Sequence, residues 1–275
     1  MSSPAQPQEK SLAVRAIEAQ GARLIRAMNH IGGITQMTLR AVRSLFTTRF
    51  ELRSFLYQLE QMGVKSFGIA SATAIFVGIV MAIQFAFSLE RFGARESTGR
   101  IVGLSEAREL APSLTALVVG CRIGAGIAAE LGSMAVTEQI DAIRALGADP
   151  IKKLVVPRML AGILMMPMLT VFALVLGIGS AALVCNLSFG MAIPFFVTSA
   201  LDSIWIEDFL SGIGKTPFFG FLIAVLGSYF GITTRGGTEG VGHSTTSAVV
   251  TTSIAILVID FFLTKVSFLI WPAYF

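Results

Sequence analysis

Five apolar runs punctuate the chain, at residues 64–87, 110–129, 160–185, 209–232 and 248–270, separated by charged or glycine-rich stretches. A helix needs about 20 mostly apolar residues to cross the hydrocarbon at roughly 1.5 Å of rise per residue, so the pattern predicts five transmembrane helices. The fourth run is the weakest. Its uninterrupted core, Pro217 to Ile232, is short, and Phe209 to Thr216 must contribute despite Lys215. A re-entrant segment is the alternative there. Ahead of the first run the period changes. Ala13, Ile17, Leu24 and Met28 recur at helical spacing beside Arg15, Arg23 and Arg26. A second stripe, Val42, Leu45, Phe46, Leu52, Phe55, Leu56 and Leu59, faces away from Arg40, Arg43, Arg49 and Arg53. Such stripes predict amphipathic helices lying in the membrane interface or packed on a soluble partner. The expected organisation is a disordered tail (1–10), N-terminal interfacial helices (11–63) and a membrane domain (64–275), an all-α membrane protein.

Composition agrees: 54% hydrophobic against 14% charged residues, with a mean hydropathy of +0.75, lies outside the soluble range. Charge adds orientation, because basic residues near span ends stay on the cytoplasmic side. Nine Lys and Arg lie in the N-terminal region through Lys65, five between Arg122 and Arg158, and one at Arg235. Four lie between Arg91 and Arg108 on the other side, joined by Lys215 and Lys265. The N-terminus is therefore expected in the cytoplasm and the C-terminus outside, with acidic Asp202, Glu207 and Asp208 also outside. No short apolar core with a small-residue cleavage site opens the first 63 residues, which excludes a secretory signal and favours a bacterial protein without a transit peptide.

Catalytic and metal signatures are missing. Cys121 and Cys185 form no C-x-x-C pair and read as structural thiols in apolar runs. His30 and His243 lie far apart, outside any H-E-x-x-H or Cys/His cluster. Ser211-Gly212-Ile213-Gly214-Lys215-Thr216 imitates the end of a phosphate-binding P-loop, but Phe209 stands where the first glycine is needed and no apolar strand precedes it. The run from Arg235 to His243 reads as a tight glycine-rich turn. Asp260 is the one acid deep in an apolar run; with Lys265 pointing elsewhere on the helix, it reads as structural, held by a hydroxyl or backbone group of a neighbouring span.

The stretch from Gly120 to Arg158 sets nine charged residues between two apolar runs. Gly120, Gly124 and Ala128 repeat at four-residue spacing, which lets another helix approach closely, within the chain or across a dimer seam. Val136, Ile140 and Ile143 then line one face of a short helix carrying Glu138, Gln139, Asp141 and Arg144, ended by Gly147 and Pro150. It is too polar to span and suits a cytoplasmic coupling helix between the second and third spans.

Residues Arg108-Glu109-Leu110-Ala111-Pro112, Glu130-Leu131-Gly132-Ser133-Met134, Val136-Thr137-Glu138-Gln139-Ile140-Asp141-Ala142 and Val155-Val156-Pro157-Arg158 carry a resemblance. Gln84, Glu239-Gly240-Val241-Gly242, Thr245-Thr246, Val249-Val250 and Asp260-Phe261 extend it from about Val64 to Lys265. The chain resembles the MlaE/YrbE family of ABC-transporter permeases. The resemblance implies a homodimeric core in the bacterial inner membrane, moving phospholipids between membranes. It also implies a cytoplasmic ABC ATPase that binds ATP and Mg, an MCE-domain lipid-binding protein on the outer face and a STAS-domain protein on the ATPase. No cofactor in this chain, no nucleic acid and no hydrolysis of its own are expected. It places a lipid cavity at the outer half of the dimer seam, at Val77, Val80, Met81, Gln84, Phe85, Arg108 and Glu109, and the ATPase contact at Glu138, Gln139, Asp141 and Arg144. The competing reading is an ATP-independent channel or secondary transporter, which only Asp260 favours, since no inverted repeat is apparent.

Overall fold

A computed structural model describes residues 12–45 and 51–270, except for some side chains of the first helix. The expected tail at 1–10 and the side chains of Ala13, Arg15, Ile17, Arg23, Leu24, Arg26, Leu45, Phe46 and Arg49 lie outside the described residues. Every described element is helical: α1 (Leu12–Leu45), α2 (Leu52–Glu90), α3 (Arg95–Val136), α4 (Gln139–Ala145), α5 (Ile151–Phe189), α6 (Ile193–Ser203), α7 (Ile206–Ile232) and α8 (Gly237–Ile270). Five of them, α2, α3, α5, α7 and α8, are long and apolar enough to cross a membrane. An all-helical bundle follows from the solvent: lipid offers backbone groups no partners, so each span must satisfy its own.

Each of these helices runs past its apolar run, because the helix continues into the polar layer after the hydrocarbon ends. The second begins at Arg95 rather than near residue 110, so Arg95, Arg100 and Arg108 are helical rather than in a loop. The fourth is one continuous helix, and re-entry is excluded. Pro217 leaves the Ile213 carbonyl without its usual N–H, and the Thr216 hydroxyl donates to that carbonyl at 2.7 Å. The glycine-rich run is also mostly helix. Gly236 (φ +92°) and Gly237 (φ +71°) make the turn, and α8 starts at Gly237.

The sequence places small residues where helix backbones meet. The Gly120, Gly124 and Ala128 stripe lies inside the chain, not at a dimer seam: it packs on Ile223, Gly227 and Gly231 of α7. Equal four-residue steps on both partners make α3 and α7 parallel. Gly162 of α5 meets Gly220 of α7 backbone to backbone, and Gly78 of α2 meets Gly177 of α5 in the same way. Central α7 is thus gripped by α3, α5 and α8, whereas α8 leaves most of its apolar surface exposed. Cys185 is buried; Cys121 sits 3.2 Å from the Ser253 hydroxyl.

The second half of α1 docks on the bundle through a face the bulky hydrophobes do not mark. Met28 is 64% exposed, whereas Met37 and Ala41 are buried. His30 Nδ1 lies 3.1 Å from the Tyr229 hydroxyl, and Tyr229 packs on the bare Gly33.

Candidate functional site

Near the start of α7, the backbone approaches α3 so closely that a Cβ on Gly212 would collide with the Ala107 carbonyl oxygen. At this level α3 is wound as a π-helix over Glu106–Leu114, with Pro112 inside it. Wide turns of this kind accommodate a residue lacking an N–H and recur at functional sites. Their effect here is to aim Arg108, Glu109 and Ser113 at α7 and α8.

Lys215, 2% exposed, is the hub. Its ammonium donates to Glu109 Oε1 and to Thr264 Oγ1, each at 2.7 Å, approaches the Arg108 carbonyl at 3.5 Å and lies 3.3 Å from Asp260 Oδ1. Thr264 donates to Glu109 Oε1 at 3.0 Å, and Ser113 donates to Asp260 Oδ2 at 2.9 Å. Arg108 turns to a different acid, donating from Nε to Asp208 Oδ1 at 2.6 Å. Asp208, 1% exposed, also accepts the Trp205 N–H at 3.0 Å and so caps α7. Three helices are therefore tied by charges whose isolation in lipid would be prohibitive. Arg108 and Glu109 pair with Asp208 and Lys215 rather than with each other. The P-loop look-alike lysine is a buried cation, and Asp260 has Lys215 and Ser113 as its partners.

Beside this network opens a cavity of about 410 Å³ lined by Met81, Leu104, Arg108, Glu109, Ser211, Thr264, Ser267 and Phe268, among others. Of the seven residues expected at a lipid site, Met81, Arg108 and Glu109 border it. Val77, Val80, Gln84 and Phe85 do not: Val80 and Gln84 face outward, Val77 is half-buried, and Phe85 packs on the apolar core of α3, α5 and α6. Chemically, the cavity combines an apolar wall with a guanidinium and a carboxylate at one edge. That suits an amphiphile with a charged head.

The family profile described as Permease MlaE matches residues 55–266. The chain belongs to the MlaE permease family. It is 41% identical over 220 residues to a probable ABC transporter permease protein of Synechocystis sp., covering 80% of this chain and 84% of that one. A probable ABC transporter permease protein of Rickettsia felis is 37% identical over 248 residues, 90% and 96% of the two chains. The Arabidopsis thaliana protein TRIGALACTOSYLDIACYLGLYCEROL 1, chloroplastic, is 40% identical over 233 residues, 85% of this chain. This chain spans 65% of that relative's length.

At the other end of the permease, α4 follows α3 through Glu138, whose φ of 59° is the one left-handed non-glycine backbone among the described residues. Glu138, Gln139, Asp141 and Arg144 are all exposed, while Ile140 is 3% exposed and anchors the helix. Arg144 donates to Asp141 at 2.6 Å and borders a 390 Å³ cavity with Arg40 and Asp149. Glu138 thus enters α4 through a left-handed turn, with its carboxylate exposed.

Two further residues escaped the sequence reading. Glu106 is 2% exposed against the bare Gly177, with Oε1 lacking a hydrogen-bond partner. Arg158, also 2% exposed, donates to the Leu154 carbonyl at 2.7 Å and pairs with Glu130 at 2.8 Å. Neither sits deep in an apolar run, so only the packed helices reveal their burial.

Proposed function

We propose that this permease is the membrane subunit of an ABC transporter that moves phospholipids between membranes. Two copies form the lipid pathway and couple to a separate ATPase, which binds ATP and Mg. The observation that carries the reading is the cavity at the start of α3, where apolar walls meet Arg108 and Glu109 beside a buried charge network. A head group would engage Arg108 and its acyl chains would lie against Met81 and Phe268. Lys215, Asp260 and Thr264 are positioning residues that hold the cavity edge. In this reading the C-terminus faces the periplasm, and the α4 end, with its excess of basic residues, faces the cytoplasm of a bacterial inner membrane. There α4 would receive the ATPase through Glu138, Gln139, Asp141 and Arg144. An MCE-domain protein would meet the opposite end, and a STAS-domain protein would bind the ATPase.

Purification of the tagged chain from native membranes in mild detergent, with mass spectrometry of proteins and lipids, tests the reading. An ABC ATPase, an MCE-domain protein and bound phospholipid are expected. A lipid-free oligomer without an ATPase would favour an ATP-independent channel or transporter instead.

A further inference from the structure

Where α2, α3 and α5 converge at the α4 end, a second cavity of about 350 Å³ is bordered by Arg53, Tyr57, Gln58, Glu130, Lys153 and Arg158. Glu130 and Glu109 are separated by about 30 Å along α3, at 1.5 Å per residue, so this cavity lies across the membrane from the first. Three cations face one carboxylate. Arg158, with its side chain 3% exposed, spends its two terminal nitrogens on Glu130 and the Leu154 carbonyl. Its buried Nε has no hydrogen-bond partner. Arg158 and Glu130 form a paired floor, which leaves the cations at the rim to meet a ligand. Arg53 and Lys153 are exposed at the rim. Leu52, Leu56 and Tyr57, 59%, 54% and 52% exposed, continue the site along α2 as an apolar track. Cations at the mouth with an apolar track alongside fit an amphiphile better than an acidic protein loop, which would leave the track wet.

We infer that this cavity binds the phosphate of an anionic phospholipid from the leaflet at the α4 end, with the exposed Arg53 and Lys153 as its donors and the acyl chains along Leu52 and Leu56. The inference rests on the phospholipid reading above and adds to it a second head-group site, at the opposite leaflet, distinct from the Arg108 cavity.

The test uses the full chain in neutral detergent, with native mass spectrometry of retained dioleoyl phosphatidylglycerol against dioleoyl phosphatidylcholine. A Met81→Trp background fills the Arg108 cavity, so that its lipid is not counted. Phosphatidylglycerol should be retained in preference to phosphatidylcholine. Arg53→Gln/Lys153→Gln should weaken retention by about tenfold or more, given the pull of each interfacial cation. Arg40→Gln/Arg235→Gln, which removes the same charge at the same end, should not. The inference is overturned by unchanged retention in Arg53→Gln/Lys153→Gln, by equal loss in the charge-matched control, or by equal binding of the two lipids. Displacement of phosphatidylglycerol by millimolar inorganic phosphate would also overturn it, assigning the site to a free anion. If Met81→Trp does not fold, the same comparisons on the unfilled chain read the change in total retained lipid. Failure of the Arg108 cavity shows separately, as equal lipid in the wild-type and Met81→Trp proteins.

Discussion

Lys215 shows how one side chain changes meaning with its surroundings. In the sequence it interrupts an apolar run and mimics a phosphate-binding lysine; in the fold it pairs with Glu109 and Asp260 where water is scarce. Breaking such a group of charges from one side costs more than omitting it, because the remaining charge stays buried. Lys215→Met should therefore lower stability by about 3 kcal/mol, toward the lower end for buried pairs because Glu109 is 42% exposed. Lys215→Met/Asp260→Asn should recover part of that loss, since the orphaned acid is removed as well. Denaturation midpoints in detergent would check both. If the double variant were no more stable than the single one, Asp260 would not be Lys215's energetic partner.

Among the helices, close approach is set by glycine. Gly212 lets α7 touch the π-helical stretch of α3, and that contact carries Lys215 to Glu109 one turn later. Gly214, two residues on, has nothing within 4 Å of an added Cβ. Gly212→Ala should destabilise by about 1–3 kcal/mol through overpacking against backbone that cannot yield. Gly214→Ala should be neutral or stabilising by up to about 1 kcal/mol, from the higher helix propensity of alanine. Thermal melts of the two variants in the same detergent discriminate them; equal melting temperatures would show that the α3–α7 contact is slack.

Across the whole molecule, the charged cavity and the α4 surface occupy opposite ends of α3, joined by a parallel α3–α7 pair locked through small residues. That geometry provides a rigid link between the proposed lipid site and the proposed ATPase contact. Met81→Trp, which fills the cavity at its α2 wall, should lower co-purified phospholipid to the share held elsewhere while leaving ATPase association intact. Glu138→Lys should do the reverse, keeping bound lipid but abolishing lipid-stimulated ATP hydrolysis of the reconstituted complex. Lipid mass spectrometry and phosphate release measure the two effects. Unchanged lipid-stimulated hydrolysis in Glu138→Lys would remove α4 from the coupling path.

The apolar runs alone determined the number of membrane helices, and the apolar face of Val136, Ile140 and Ile143 beside Glu138, Gln139, Asp141 and Arg144 marked α4 as a surface helix, because both depend on sequence over a few turns. Burial of charge depended on contacts 100 to 147 residues apart and became visible only in the tertiary structure. Arg108 meets Asp208, Lys215 meets Glu109, and Asp260 finds Ser113, none of them at a spacing that periodicity can register. The seat of α1 was hidden for a related reason. Gly33 and Ala41 have too little side chain to stand out as a stripe, yet small size is what lets a helix approach Tyr229. Apolar length is written locally, whereas the pairing of charges and the fit of small residues are decided by which helices become neighbours.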